Sequence, residues 1–136
     1  MKDHYDLTGV EFTVTSVDLH DKILRFFNHK TTPLLPVCKA VQMTGSFPVA
    51  FKSLYWQREW GKYYIHYDRT RREVDLTGHQ FTDGGLLANF PLKFLDNEKF
   101  RPKYFKHKKT KQTLLYGFGL DEKDDFPENL PNPNPP

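Results

Sequence analysis

An aspartate followed directly by two glycines, Asp83-Gly84-Gly85, is the feature that most constrains how this chain can fold. Adjacent glycines permit positive φ and close backbone approaches that other residues forbid, so the sequence predicts a tight loop here. A sharply bent, open backbone leaves the carboxylate accessible to a substrate or to another segment, as a general base requires. Asp-Gly is also a common turn dipeptide, so an ordinary turn is the alternative interpretation.

The segments around this loop predict short strands and short helices. Residues 11–17 alternate and are β-branched, and residues 23–27 follow a turn at 20–22, which predicts a β-hairpin. Pro36 suits the first turn of a helix over 36–44, with Val37, Ala40 and Val41 on one side. The pattern further predicts a strand at 63–67, a charged turn at 68–72 and short strands within 74–81. Residues 86–95 are predicted to form a loop and then a short helix with Pro91 near its start, and residues 114–120 a strand. Residues 49–60 carry no clear pattern.

Composition places the chain among globular proteins with a packed core. It has 136 residues, of which 38% are apolar and 15% aromatic, so we expect a ring-rich core. A net charge of +3 is too mild to indicate nucleic acid by itself, and the single cysteine, Cys38, excludes an internal disulfide. Neither a signal peptide nor a membrane span is visible. We therefore expect a cytoplasmic protein, or one peripheral to membranes.

A second motif precedes the glycine loop, where a helix runs into a proline turn over residues 40–48. It contains Ser46, the one serine near such a turn. A nucleophilic serine requires a strained elbow of the type Gly-x-Ser-x-Gly, and the surroundings here are Thr-Gly-Ser-Phe-Pro. The residues therefore favour a structural role for Ser46 over a catalytic one.

Together, the two motifs resemble the patatin-like phospholipase family of lipid acyl hydrolases. The matching pieces are residues 40–48 with Phe51, and residues 81–92, which contain Asp-Gly-Gly followed by Asn-Phe-Pro; the resemblance covers about residues 10–120. It implies an α/β fold of three layers, α/β/α, with a mainly parallel central sheet. Residues 1–120 would form the C-terminal half of that sheet with its flanking helices, and residues 121–136 an acidic, then Pro/Asn-rich tail or linker.

The resemblance implies a Ser–Asp dyad in which Asp83 is the base. Gly84 and Gly85 would then allow close approach to Asp83, and Asn89 would fix the loop. No Gly-x-Ser-x-Gly and no glycine-rich oxyanion loop exists in the chain. We therefore expect the chain alone to be inactive, with the missing part supplied by an upstream stretch or a complementing chain. Half a sheet would also leave an open edge, so we expect poor solubility or oligomers.

No cofactor or metal is expected. The six histidines are scattered, with neither a His-x-x-x-His pair nor a Cys-x-x-Cys motif, so the sequence predicts no zinc site. His79 lies near Asp83 in sequence, and a polar residue at a strand edge is its favoured interpretation. Cys38, on the predicted helix, is expected to be a small core residue.

A basic run interleaved with aromatic residues spans residues 99–111, after the glycine loop. The acidic segment 121–128 lies downstream of this run. Its simplest interpretation is a solvated loop whose positive charge is balanced by those acidic residues. It could instead bind an anionic membrane surface, at very roughly 1 kcal/mol per basic residue. Stacking on RNA or single-stranded DNA is a less favoured option, and no nucleic-acid partner is expected. The alternative function is thus a non-catalytic remnant or a lipid-surface module. The basic residues are Lys99, Arg101, Lys103, Lys106, Lys108, Lys109 and Lys111.

Overall fold

The computed structural model describes residues 1–88, 92–106, 114 and 116. In this part of the chain, short helices and strands alternate in a mixed α/β arrangement. The helices are α1 (Lys2–Thr8), α2 (Val37–Thr44), α3 (Gly85–Ala88), α4 (Leu92–Asp96) and α5 (Arg101–Tyr104), with a 3-10 turn at Arg58–Trp60. The strands are β1 (Val14–Asp18), β2 (Ile23–Phe27), β3 (Leu54–Tyr55), β4 (Tyr63–His66), β5 (Arg71–Val74) and β6 (Gln80–Asp83).

The predicted hairpin is confirmed as β1 and β2, which pair antiparallel from Val14 opposite Phe27 to Asp18 opposite Ile23. β1 begins three residues later than the alternating pattern indicated, since residues 11–13 are irregular. The Asp18 carboxylate accepts hydrogen bonds from the backbone N–H groups of His20 and Asp21. These bonds fix the turn through a local Asx arrangement, which strand pattern alone does not encode.

A four-stranded sheet with the order β2-β1-β6-β3 carries the glycine loop at one end. Every strand pair that the structure describes is antiparallel, whereas the family resemblance implied a mainly parallel sheet. Short turns can join antiparallel neighbours, while parallel neighbours need long crossovers. The expectation of a mainly parallel sheet is therefore not met in these strands.

A second sheet consists of the hairpin of β4 and β5, with Tyr63 opposite Val74. The strand predicted at 63–67 is thus confirmed, but the predicted turn at 68–72 is too long. Its charged residues from Arg71 onward pair in β5, while the backbone N–H of Tyr67 bonds the Thr70 carbonyl at 2.8 Å and closes the turn. Charge alone did not mark the turn because β5 is an exposed strand that carries charged residues itself.

The predicted helix at 36–44 is confirmed as α2, which follows Pro36 and packs against β1 and β6. Its buried face differs from the one expected. Ala40 and Met43 are fully buried with Val37 partly buried, whereas Val41 is exposed. The face of α2 that packs on the sheet therefore includes Met43 instead of Val41. Cys38, which was expected in the core, is exposed.

Aromatic rings dominate the core, as the composition predicted. The Phe27 ring, with no solvent exposure, lies 5.6 Å from Trp56 and 5.4 Å from Phe81, measured between ring centroids. Trp56 follows β3, and Trp60 packs edge-on against it. Such aromatic pairs each add about 0.5–1.5 kcal/mol beyond the area that they bury. The stretch 49–60, which had no clear pattern, therefore supplies two central core residues.

The short helix predicted to begin near Pro91 is present as α4. The residues before it were predicted to be a loop, but Gly85–Ala88 form the short helix α3, and residues 89–91 between the two helices are not described. Of the strand predicted at 114–120, only Leu114 and Tyr116 are described, and both are exposed and outside any strand. The tail predicted at 121–136 lies outside the described residues. Within the described ranges, no helix combines the length and apolar character that crossing a bilayer demands.

Candidate active site

Asp83 is the last residue of β6, where the chain leaves the sheet and turns into α3. It lies opposite Ser16 of β1, and its side chain is half-buried. Its backbone N–H donates to the Ser46 carbonyl at 3.2 Å, and its carboxylate Oδ1 accepts the Gly85 N–H at 2.7 Å. The carboxylate is therefore held at a strand end by neighbouring backbone, with Oδ2 left for another group.

Position 84 requires glycine because there is no room for a side chain, and not because of the backbone φ angle. The predicted tight loop is reduced to a turn at Gly84, because Asp83 ends β6 and Gly85 begins α3, and Gly84 lies outside the left-handed region. A Cβ atom there would overlap both the carbonyl oxygen and Oγ1 of Thr15, far inside van der Waals contact. The missing side chain thus lets the turn after Asp83 pack directly on β1. This close approach fixes the position of the carboxylate relative to the sheet.

Neither serine that lies beside β6 provides a nucleophile for Asp83. The Ser46 hydroxyl donates to the Gln42 carbonyl at 2.6 Å, and the buried Ser16 hydroxyl donates to the Thr82 carbonyl at 2.6 Å. A hydroxyl has one proton to donate, so neither is hydrogen-bonded to the Asp83 carboxylate as a donor. The Ser46 carbonyl meanwhile accepts from the Thr82 hydroxyl at 2.7 Å. Ser46 thus joins the end of α2 to β6, in line with its structural interpretation.

Exposed apolar side chains follow both Ser46 and Gly85 in the chain. Phe47, Val49 and Phe51 follow Ser46, and Leu86 and Leu87 follow Gly85; all five are large and exposed. The bond between Asp83 and Ser46 brings the starts of these two segments together. A cavity of about 280 Å³ opens beside Ser46, and Gln42, Gly45, Phe51 and Lys52 complete its lining. Such a rim fits an apolar ligand or another polypeptide segment.

The remaining residues predicted for the site are distributed differently. Asn89, Lys108 and Lys109 lie outside the described residues. The four described members of the basic run, Lys99, Arg101, Lys103 and Lys106, lie in or beside α5, which packs against β4. Lys103 and Lys106 place their ammonium groups over the rings of Tyr67 and Tyr5, at 5.5 and 4.6 Å from the centroids.

The rings of this run pack inward. Phe100, Tyr104 and Phe105 lie 5.1, 5.4 and 5.8 Å from the Phe26 ring, and Phe105 is buried. The interpretation of these rings as a lipid-facing or base-stacking surface therefore does not hold for Phe105, because its ring belongs to the interior. The basic groups lie outside this ring cluster, with Lys99 and Lys106 exposed.

A polar cluster at the other end of β1 was not found from the sequence. The Asp18 carboxylate, with no solvent exposure, accepts from Arg25 Nε and Nη2 at 3.2 Å each and lies 3.0 Å from His79 Nδ1. Burial would raise the pKa of Asp18, but hydrogen bonds from His79 and from the Asp21 N–H, with the charge of Arg25, hold it below its ordinary value. His79 and Asp18 are far apart in sequence, and only the pairing of β1 with β6 brings them together.

Comparison with known proteins gives one finding. Residues 5–96 match the family model described as patatin-like phospholipase, a range that includes the hairpin, α2 and Asp83. No curated protein and no solved structure matches the chain significantly. The match covers more than half of the chain and thus most of the described structure.

Proposed function

The chain belongs to the patatin-like phospholipase family, and from this membership we propose that it supplies the aspartate base of a Ser–Asp dyad for lipid ester hydrolysis. The position of Asp83 carries the proposal. Its carboxylate lies at a strand end, one oxygen is held by the Gly85 N–H, and Gly84 packs on Thr15 without room for a side chain. A base must be fixed in this way to accept a proton from a neighbouring hydroxyl in one geometry.

The nucleophile in this proposal comes from outside these 136 residues. The hydroxyls of Ser16 and Ser46 are already bonded to carbonyl groups, and no Gly-x-Ser-x-Gly motif is present. Without a nucleophile and an oxyanion hole, an acyl-enzyme cannot form, so the chain alone is inactive. The apolar rim around Asp83 is the surface on which the complementing segment, or the acyl chain, would pack.

The three-layer α/β/α architecture is part of the same proposal. The helix α2 covers β1 and β6 on one side of the described sheet, which supports one outer layer. The complementing segment would add the parallel strands and the second helical layer. Residues 1–120 would then be the C-terminal half of the domain.

The experiment begins with the DNA upstream of Met1, translated in frame. The proposal expects a glycine-rich loop followed by Gly-x-Ser-x-Gly, either there or on a separate complementing chain. The completed protein should then hydrolyse p-nitrophenyl butyrate and bind a fluorophosphonate probe. Asp83→Asn should lower kcat by about 10³-fold or more, as loss of the partner of a nucleophile does in related dyads and triads.

Asp68→Asn is the matched control, because Asp68 is an exposed aspartate in the β4–β5 turn. It should leave kcat unchanged. Two results would count against the proposal: full turnover in the Asp83→Asn protein, or fluorophosphonate labelling of the 136-residue chain alone that persists in the same variant.

A second candidate function is a lipid-surface module without catalysis, favoured by one basic cavity. This cavity of about 520 Å³ lies between α1, β4, β5 and the end of the basic run. Four of its lining residues are cationic, and burial lowers the pKa of one of them, Lys30. Flotation with phosphatidylserine vesicles but not phosphatidylcholine vesicles, lost in Lys106→Gln and kept in the exposed control Lys52→Gln, would support it. The cationic lining residues are Lys2, Lys30, Arg71 and Lys106.

A further inference from the structure

Two histidines and one aspartate meet at the end of β1, at the opposite end of β6 from Asp83. One ligating side-chain atom from each of His20, Asp21 and His79 lies within 4.8 Å of the atoms from the other two. His20 and Asp21 are exposed, while His79 is half-buried. The two imidazole rings lie 4.3 Å apart between centroids and are tilted by 32°. Side-chain rotations at the exposed positions can therefore bring three ligands onto one ion.

Asp18 fixes the tautomer of His79. Its carboxylate oxygens lie 3.0 and 3.2 Å from His79 Nδ1, and Oδ2 also forms a buried ion pair with the Arg25 guanidinium. An ionised carboxylate only accepts hydrogen bonds, so Nδ1 carries the proton and Nε2 keeps its lone pair. Buried carboxylates orient metal-ligating histidines in the same way in zinc proteins.

The local charge also favours a cation. Asp18 and Asp21 carry two negative charges against the single positive charge of Arg25, which bonds Oδ2 of both residues. The guanidinium thus occupies one oxygen of Asp21 and leaves Oδ1 for a further ligand interaction. Among the charged groups described at this site, one net negative charge remains when both histidines are neutral.

We propose that His20, Asp21 and His79 bind a single divalent metal ion of the zinc class, with Asp18 as the residue that positions His79. Two imidazoles and one carboxylate suit zinc and its neighbours, and a three-residue set leaves the fourth position for water. The ion would tie the β1–β2 turn to the start of β6, which no sequence motif connects. The absence of a His-x-x-x-His pattern does not bear on it. His20 and Asp21 follow β1 and His79 precedes β6, and the pairing of these two strands brings them together.

The test is a titration of the full chain with zinc chloride at neutral pH, followed by isothermal calorimetry in a buffer without chelators. Two exposed ligands are changed separately, as His20→Gln and Asp21→Asn, since neither change opens the core. His4→Gln is the matched control, because it also removes one histidine but lies in α1. Circular dichroism checks that every variant is folded.

We expect the parent chain to bind one ion, and each ligand variant to bind at least about tenfold more weakly. The control should bind as the parent chain does. Cobalt in place of zinc should give the intense visible absorption of a four-coordinate site in the parent and control alone. The proposal is overturned if the parent chain binds no ion, if His20→Gln and Asp21→Asn bind as tightly as the parent, or if the control is weakened equally.

Discussion

At the residue scale, the turn after Asp83 depends on a missing side chain. Gly84→Ala forces a Cβ atom into the carbonyl and hydroxyl of Thr15, so either β1 or the turn must shift. We expect the free energy of unfolding to fall by about 1–3 kcal/mol, which is typical of overpacking a tight contact. Urea denaturation measures it. The control Gly45→Ala, where a Cβ meets only ordinary contact at 3.5 Å, should cost much less, and equal losses would contradict the argument.

His66 makes stability depend on pH. Its Nε2 lies 3.0 Å from the Lys30 carbonyl, which requires Nε2 to carry the proton of the neutral ring. Burial, and then the charges of Lys30 and Arg71, lower the pKa of His66 although the bond to Lys30 opposes them. The unfolded chain therefore takes up a proton first, near pH 6.5. The contribution of His66 to stability is complete above that pH and is lost as the pH falls from there through the lower, folded-state pKa.

Urea midpoints above and below about pH 6.5 test this dependence. His66→Gln keeps a donor for the Lys30 carbonyl but does not titrate, so its midpoint should fall less on acidification than that of the parent chain. Because His66 is the only residue that differs between the two proteins, the difference isolates its contribution. The same loss in both proteins would show that the dependence comes from another group.

At the element scale, Arg25 of β2 joins the hairpin to the turn that follows β1. Its side chain is 5% exposed, and that of Asp18 is fully buried. Arg25→Met leaves the Asp18 charge without its guanidinium, for which we expect a loss of about 3 kcal/mol in the free energy of unfolding. The exposed ion pair of Arg71 with Glu73 gives the matched control, since Arg71→Met should cost about 1 kcal/mol or less. Similar losses in urea denaturation would contradict a special role for the buried pair.

The sequence predicted those elements whose signals are local. The β1–β2 hairpin and α2 follow from alternation, a short turn and Pro36, and Asp83 was singled out by the two glycines after it. β3 was missed because a strand of two residues contains no period to detect. The reason for Gly84 was also missed, because contact with Thr15 depends on how β6 pairs with β1 and not on neighbours in sequence.

The candidate sites also depend on strand pairing, which neighbouring residues in the sequence do not reveal. Asp18 ends β1 and His79 directly precedes β6, and they come together because of the register in which Asp18 lies opposite Phe81. No spacing rule encodes that register. In the basic run, composition identified the charges but could not distinguish rings that pack on Phe26 from rings that face solvent.

At the scale of the whole molecule, the apolar rim around Asp83 should control self-association. Val49 and Phe51 are 89% and 64% exposed, and the bond between Asp83 and Ser46 places their segment beside the exposed leucines of α3. An apolar surface of this kind gains free energy when another copy covers it, at roughly 25 cal/mol for each Å² buried. We therefore expect the isolated chain to form oligomers at micromolar concentration, as measured by sedimentation velocity.

Replacing three of the five rim residues together, Phe47→Ser, Val49→Ser and Phe51→Ser, should shift the chain toward monomers without unfolding it, because all three are exposed. The control is Leu7→Ser with Val10→Ser, two exposed apolar residues that lie in α1 and just after it and do not belong to the rim. If the rim drives association, only the first variant changes the sedimentation coefficient. Two results would contradict this prediction: a monomeric parent chain, or an equal shift in the control. Either would mean that the rim does not drive association. The proposal that a complementing segment covers the rim would then lose its main physical support.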